Sequence, residues 1–420
     1  MHAPLDGADF CPRKYSIPRP TSPFAIEHPI ALRSRFATHP LHRHQPTTTM
    51  VSEKKPQLGS VLVIGGCGFL GHHVVRVLLR DYNCSVSVID LRCTRNRRPA
   101  SDGVAYYDAD ITDAAKLESI FEKARPDVVV HTASPPAQSN DSVSHALFKR
   151  VNVDGTAAVV QACQNTGVKA LVYTSSASVM SDNRSDLINA DERWPTVRGK
   201  DQSEYYSETK AAAEELVLAA NRAPAAPKLL TCAIRPSGIM GEGDTMLLYH
   251  LINIYRQGRT GFQIGSNDNL FDFTYVENVA HGHLLAARAL LATAVSSTAP
   301  LDHEKVDGEA FLITNDSPVY FWDFCRAVWA AAGSPKGTEH VRVLPREVGM
   351  LLGFLSEVFF SVIRKPATFN RQRIVYSCMT RYYDISKAKR RLGYRPLVSL
   401  DEGVRRSVKW TLEQQAAEKK

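Results

Sequence analysis

Cysteine is scarce in this 420-residue chain and long apolar runs are missing. Its eight cysteines include no Cys-x-x-Cys pair, which excludes a disulfide-stapled scaffold and argues against a structural zinc site. A reducing compartment fits that usage. No run of 18 apolar residues occurs, so an ordinary membrane-spanning helix is not expected. Nor does the N-terminal region carry the continuous apolar stretch of a secretory leader. What is present is ordinary for a globular chain, with 44% hydrophobic and 22% charged residues. The length exceeds what one core usually serves. A formal net charge of +8 implies attraction to an anionic surface, either nucleic acid or a membrane face.

Residues 1–50 hold eight prolines and five histidines, with six Lys/Arg, three acids and no hydrophobic period. Such a segment buries too little apolar surface to offset its ordering entropy, so residues 1–58 are read as a disordered extension. Met50 stands shortly before the first strand pattern and reads as the usual start, leaving 49 residues as an upstream extension. From residue 60 apolar runs alternate with helical spacing. Val61–Ile64, Val86–Ile89, Val128–Val130 and Leu171–Tyr173 read as strands; residues 72–79, 114–124 and 153–166 read as helices. This alternation predicts an α/β fold, a Rossmann-type doubly wound parallel sheet over 59–235. Residues 236–420 then form a smaller, mainly substrate-binding part.

The sharpest local signal is Gly65-Gly66-Cys67-Gly68-Phe69-Leu70-Gly71 between a strand and a helix. Glycines at 65, 68 and 71 allow a tight turn, close approach of backbone to a pyrophosphate, and close packing of helix on strand. Phe69 and Leu70 open that helix. Asp90 ends the next strand, where an acid can hold both hydroxyls of an adenosine ribose, which favours NAD over NADP. Arg92, Arg95, Arg97 and Arg98 follow closely and could instead hold a 2′-phosphate, although Asp90 would repel it.

A second constellation is Tyr206-Ser207-Glu208-Thr209-Lys210, with Ser175-Ser176 upstream. Tyrosine and lysine at i and i+4 share a helix face, and an ammonium beside a phenol lowers its pKa toward general-base use. Ser176, at a strand end, could hold a substrate oxygen. Catalytic roles therefore fall to Ser176, Tyr206 and Lys210. A second copy of the spacing, Tyr383 to Lys387, follows the cofactor region and has no strand-borne serine at a suitable distance.

These residues carry a resemblance to the extended short-chain dehydrogenase/reductases, and within them to the 3β-hydroxysteroid dehydrogenase branch, over about residues 60–412. Asp110-Ile111 resembles the pair that holds adenine, and His131-Thr132-Ala133-Ser134 the segment lining the cofactor. Asn152–Thr156 is similar to the family's N-V-x-G-T segment, and Arg235-Pro236-Ser237 to the stretch that contacts nicotinamide. Residues 272–281 and 311–324 look like the fungal sterol-4α-carboxylate 3-dehydrogenases (decarboxylating). Ile64 departs from the threonine of many relatives, and Met180-Ser181 from the Tyr-Gly of sugar-nucleotide members.

The resemblance implies NAD-dependent oxidation of the 3β-hydroxyl of a 4α-carboxysterol, with loss of carbon dioxide, in sterol C-4 demethylation. No metal is called for. It also implies a peripheral position on the cytosolic face of the endoplasmic reticulum. There a C-4 sterol oxidase, a 3-keto sterol reductase, a scaffold protein and a second copy of the chain are the candidate partners; nucleic acid is not one. Residues 348–363, mostly apolar with small and polar residues on one stripe and basic residues after it, read as a helix lying in a membrane interface, against the alternative of a core helix. Other functions remain open at this point: a triterpenoid dehydrogenase, a sugar-nucleotide epimerase or dehydratase, and a nucleotide-binding sensor or scaffold.

Overall fold

The computed structural model describes residues 54–136, 142–363, 365, 367 and 369–417. Expectations that fall on residues 1–53 lie outside these. In chain order the first half runs β1 (Gln57–Ile64), α1 (Phe69–Asp81), β2 (Asn83–Asp90), β3 (Ala105–Asp108), α2 (Ala114–Ala124), β4 (Val128–His131), α3 (Ser142–Phe148), α4 (Thr156–Thr166) and β5 (Ala170–Thr174). There follow β6 (Leu187–Ala190), α5 (Tyr205–Ala219), β7 (Leu230–Pro236), β8 (Gly238–Met240), α6 (Leu248–Arg256), β9 (Phe262–Ile264), β10 (Leu270–Phe271), β11 (Phe273–Tyr275) and α7 (Val276–Val295). The chain continues through β12 (Glu309–Ile313), β13 (Val319–Tyr320), α8 (Phe321–Ala331), β14 (Arg342–Leu344), α9 (Arg346–Val362), α10 (Arg371–Cys378), β15 (Arg381–Tyr383), α11 (Ser386–Arg391) and α12 (Leu400–Ala417).

Seven strands form one parallel sheet in the order β3-β2-β1-β4-β5-β7-β12. Alternation along β1 assigns its side chains to two cores. Val61 and Val63 share a core with α1 and α7; Leu62 and Ile64 share one with α2, α4 and α5. A strand covered on both faces must be apolar at successive positions, which is why Val61–Ile64 reads as an unbroken run. The fold is therefore the expected doubly wound Rossmann type.

Three boundaries differ from the sequence reading. Gln57 and Leu58 already belong to β1, and Leu58 is fully buried, so the folded chain starts before residue 59. The sheet also takes an edge strand, β12, and a covering helix, α7, from beyond residue 235. Strand β6 crosses the other way, pairing with β15 in a four-stranded sheet with β10 and β13. Two short pairs, β8 with β11 and β9 with β14, complete the strands.

Candidate active site

β1 lies between β2 and β4, so successive connections leave it in opposite directions and a crevice opens beyond its carboxyl end. The glycine turn fills that place. Gly65 has φ +80°, and a Cβ there would stand 2.8 Å from the Ala133 backbone. A Cβ on Gly71 would run into the Gly65 carbonyl oxygen. On Gly68 it would meet only that oxygen, at 3.1 Å, and otherwise open space. Two glycines thus close the turn and the third leaves the amino end of α1 bare, a cradle that a diphosphate fits. Leu70 is buried beneath the turn and Phe69 packs edge-on to His73.

Asp90 turns its carboxylate back to this loop, accepting from the Cys67 N–H at 3.0 Å. Of the four arginines behind it, Arg98 is paired with Asp102 at 2.8 Å and Arg97 lies over the Tyr106 ring. Arg92 and Arg95 are exposed. Asp110 accepts from both the backbone and the hydroxyl of Thr112, and the backbone N–H leads the lowering of its pKa. Ile111 packs where a Cβ on Gly155 would otherwise stand. Thr132 donates its N–H and its hydroxyl to the Ile64 carbonyl, fixing Ala133 against Gly65, and Ser134 follows half-buried. Pro236 ends β7 and Ser237 gives its hydroxyl to the Asp272 carbonyl at 2.7 Å. All these residues follow carboxyl ends of the sheet.

Tyr206 and Lys210 lie on α5, which a buried ion pair pins to the sheet: Glu214 accepts from Arg235 of β7 at 2.9 and 2.5 Å. Ser176 caps the turn Ala177–Met180 just after β5. Desolvation, with the Glu204 charge behind it, pushes the Tyr206 phenol up to about 12, and the Ser176 hydroxyl works against that shift.

The lysine corrects the sequence reading. Its ammonium was expected beside Tyr206, but Nζ donates to the Thr174 carbonyl at 2.5 Å and to the Tyr173 hydroxyl at 3.2 Å. Helical spacing fixes the face but not the depth, and the long stem carries Nζ past Tyr206 to the end of β5. Burial brings the amine down to about 7, and Glu214 opposes that fall.

A polar layer behind the trio was not anticipated. His131 meets the Thr156 hydroxyl at 3.0 Å, and His283 meets the Thr174 hydroxyl at 2.7 Å. Burial, helped by the nearby Lys210 cation, lowers these imidazoles to about 3 and about 4, with the Val279 carbonyl opposing the fall of His283. Asn152 donates to Thr209 at 3.0 Å while its carbonyl oxygen is buried without a partner. The family segments His131–Ser134 and Asn152–Thr156 signalled part of this layer. The second Tyr/Lys spacing brings nothing together: Tyr383 accepts from Arg381, whereas Lys387 donates to Glu309 and the Ala310 carbonyl.

Helix α9 tests the core-helix alternative for residues 348–363. Gly349 and Gly353 are its only buried residues. A Cβ on Gly353 would stand 2.8 Å from Ile374 of α10, so the small stripe is the packing face. The apolar side faces out: Leu351 is 58%, Leu355 52% and Phe359 60% exposed. The core-helix alternative is thereby excluded. No helix among the described residues is long and apolar enough to cross a membrane.

A glycine turn at the switch point of a seven-stranded sheet, with serine, tyrosine and lysine gathered beyond β5, defines an extended short-chain dehydrogenase/reductase. Solved structures agree on that fold. A UDP-glucose 4-epimerase of Thermotoga maritima matches with TM-score 0.60 and 20% identity over 84% of this chain and 99% of its own. That of Thermus thermophilus matches with TM-score 0.58 and 22% identity over 83% and 98%. The chain belongs to the 3-beta hydroxysteroid dehydrogenase/isomerase family, which it matches over residues 62–346. It is 41% identical to a decarboxylating sterol-4-alpha-carboxylate 3-dehydrogenase of Schizosaccharomyces pombe, over 84% of this chain and 97% of that one. Enzymes of the same name in Saccharomyces cerevisiae and Homo sapiens are 39% and 35% identical, covering 84% and 91% of this chain and 98% and 96% of theirs.

Proposed function

We propose that the protein oxidises the 3β-hydroxyl of a 4α-carboxysterol to the 3-ketone, with release of the C-4 carboxylate as carbon dioxide, in sterol C-4 demethylation. The observation that carries this reading is an intact Ser176, Tyr206 and Lys210 in a chain that runs alongside such dehydrogenases for nearly their whole length. When bound, an oxidised nicotinamide dinucleotide supplies the hydride acceptor and a positive charge. The glycine turn holds its diphosphate, Asp90 its adenosine ribose, and Asp110 and Ile111 its adenine. Thr132, Ala133, Ser134, Pro236 and Ser237 line the remainder, and Lys210 reaches the nicotinamide ribose. NAD rather than NADP fits an acid at Asp90 whose neighbours Arg97 and Arg98 are already engaged.

Tyr206 takes the hydroxyl proton while Ser176 holds the oxygen. The resulting ketone lies β to the carboxylate, so carbon dioxide leaves with its electrons received as an enolate, and no separate decarboxylase site is required. Incubation with NAD or NADP and a panel of 4-carboxysterols, 3β-hydroxysteroids, triterpenoids and UDP-sugars tests this. Ketone, carbon dioxide and NADH from the carboxysterol are expected. Turnover of a UDP-sugar alone would refute it.

The outward apolar face of α9 fits a membrane surface. Its 17 residues span about 25 Å, short of the hydrocarbon core, and exposed Arg342, Arg346 and Lys365 flank it. The protein then sits peripherally on the cytosolic face of the endoplasmic reticulum, beside the oxidase and reductase that precede and follow it. Replacing Leu351, Leu355 and Phe359 with serine should release folded protein from vesicles containing anionic lipid. Unchanged vesicle binding would refute the docking face.

A further inference from the structure

Two short steps join the outward face of α9 to the catalytic helix. The first is α10, which backs α9 so closely that a Cβ on Gly353 would stand 3.1 Å from the Arg371 backbone nitrogen. Glu357 of α9 accepts from the backbone N–H and from Nε of Arg371, both at 2.8 Å. Arg371 also lies over the Phe354 ring. Ile374 is fully buried and Tyr376 packs on Phe271 and Phe321, so α10 is anchored while Arg371, Gln372 and Arg373 of its first turn stay exposed. The second step is one hydrogen bond, from Gln372 Nε2 to Glu204 Oε1 at 2.6 Å. Glu204 caps α5 and stands two residues before Tyr206. No other hydrogen bond joins α10 to α5 among the described residues.

Tyr206 itself is half-exposed, so the phenol is open toward an approaching substrate. A carboxysterol in a bilayer keeps its hydroxyl and carboxylate at the interface, because those groups resist leaving water and its rings do not. The reacting end therefore lies at the depth where α9 docks, and a passage through bulk water would expose the whole apolar ring system. We propose that the substrate enters from the bilayer at the junction of α10 with the amino end of α5, where the Gln372–Glu204 hydrogen bond is the latch. Opening needs only rotation of two side chains, since Ile374 and Tyr376 hold α10 in place. The C3–C4 end passes first toward Tyr206 and the side chain trails in lipid. Docking and loading are then one event, and the ketone returns to the bilayer the same way.

The portal rests on reading the site as a sterol dehydrogenase and α9 as its docking face. The test uses the full chain carrying Glu204→Cys and Gln372→Cys, bridged by a short bis-methanethiosulfonate and released with dithiothreitol. Vesicles containing anionic lipid and a 4-carboxysterol supply the substrate, and Gln372→Cys alone with the same reagent controls for the native cysteines. Bridging should slow sterol oxidation by about tenfold or more, as expected when access is gated, and dithiothreitol should restore it. NAD binding and vesicle binding should not change. Gln372→Ala, which removes the latch, should lower the KM for vesicle-borne sterol by about 2- to 10-fold, the effect of one net hydrogen bond on the open population. Full turnover by the bridged protein overturns the portal. So does a loss that the single-cysteine control shares or that dithiothreitol leaves in place, and so does a wild-type KM in Gln372→Ala. A wild type that fails to bind the vesicles, or binds them and leaves the sterol unoxidised, sinks the underlying reading as well, so the two failures are distinct.

Discussion

Two segments of the molecule carry tyrosine and lysine four residues apart, and they ended in different places. Tyr206 and Lys210 lie on one helix held under the sheet by Glu214 and Arg235, with Ser176 nearby at the turn that follows β5. Tyr383 belongs to a strand and Lys387 to a separate short helix. Each of the second pair has its own local partner, Arg381 for the phenol and Glu309 for the ammonium. Spacing becomes chemistry only where one rigid element presents both groups to a third.

The largest break in that comparison should come from Tyr206→Phe. Removing the hydroxyl leaves the ring against Phe148, so folding should persist while ketone and carbon dioxide formation fall together by about 10²–10⁴-fold. Carbon dioxide release without nicotinamide reduction would contradict the order of events. Next comes the pin beneath the first pair. Glu214→Ala leaves the Arg235 guanidinium buried and unpaired, so denaturant unfolding should show a loss of about 3–5 kcal/mol.

A third test uses pH. The folded Lys210 amine titrates at about 7 against an ordinary 10.5. Between those values the unfolded chain holds a proton that the folded protein has released, so stability attributable to this residue rises with pH. The slope is at most about 1.4 kcal/mol per pH unit, and it should vanish in Lys210→Met when unfolding is measured across the window. Tyr383→Phe should do least. It forfeits one hydrogen bond from Arg381, about 1 kcal/mol of stability, with turnover unchanged; a loss like that of Tyr206→Phe would erase the distinction between the segments.

Much of the cofactor side could be read from the sequence because its signals are local. An apolar run, three glycines and an amphipathic helix specify β1, the turn and α1 whatever lies around them. β3 escaped because Ala105–Asp108 is an edge strand with no fully buried residue, and so leaves no apolar run. The destination of Lys210 escaped because i, i+4 spacing carries no information on depth. The contact of Ser178 with Ser207 was equally hidden: the two are 29 residues apart and meet only because α5 packs on the turn after β5. For α9 the pattern gave the stripe, but only the packing of Gly353 on Ile374 decides which side faces out.

The origin of β12 sets a condition on how the protein can be made. β7 closes its outer edge only when residues 309–313 arrive, after α7 has been laid across the face of the sheet. A ribosome that has delivered the whole glycine turn and all three catalytic groups has still produced a sheet whose β7 lacks its β12 partner and whose apolar face lacks α7, open to other chains. The dinucleotide half is therefore no detachable module. Fragments ending near residue 235 should aggregate, and supplying the remainder as a second chain must complete a strand order, not merely add a lid.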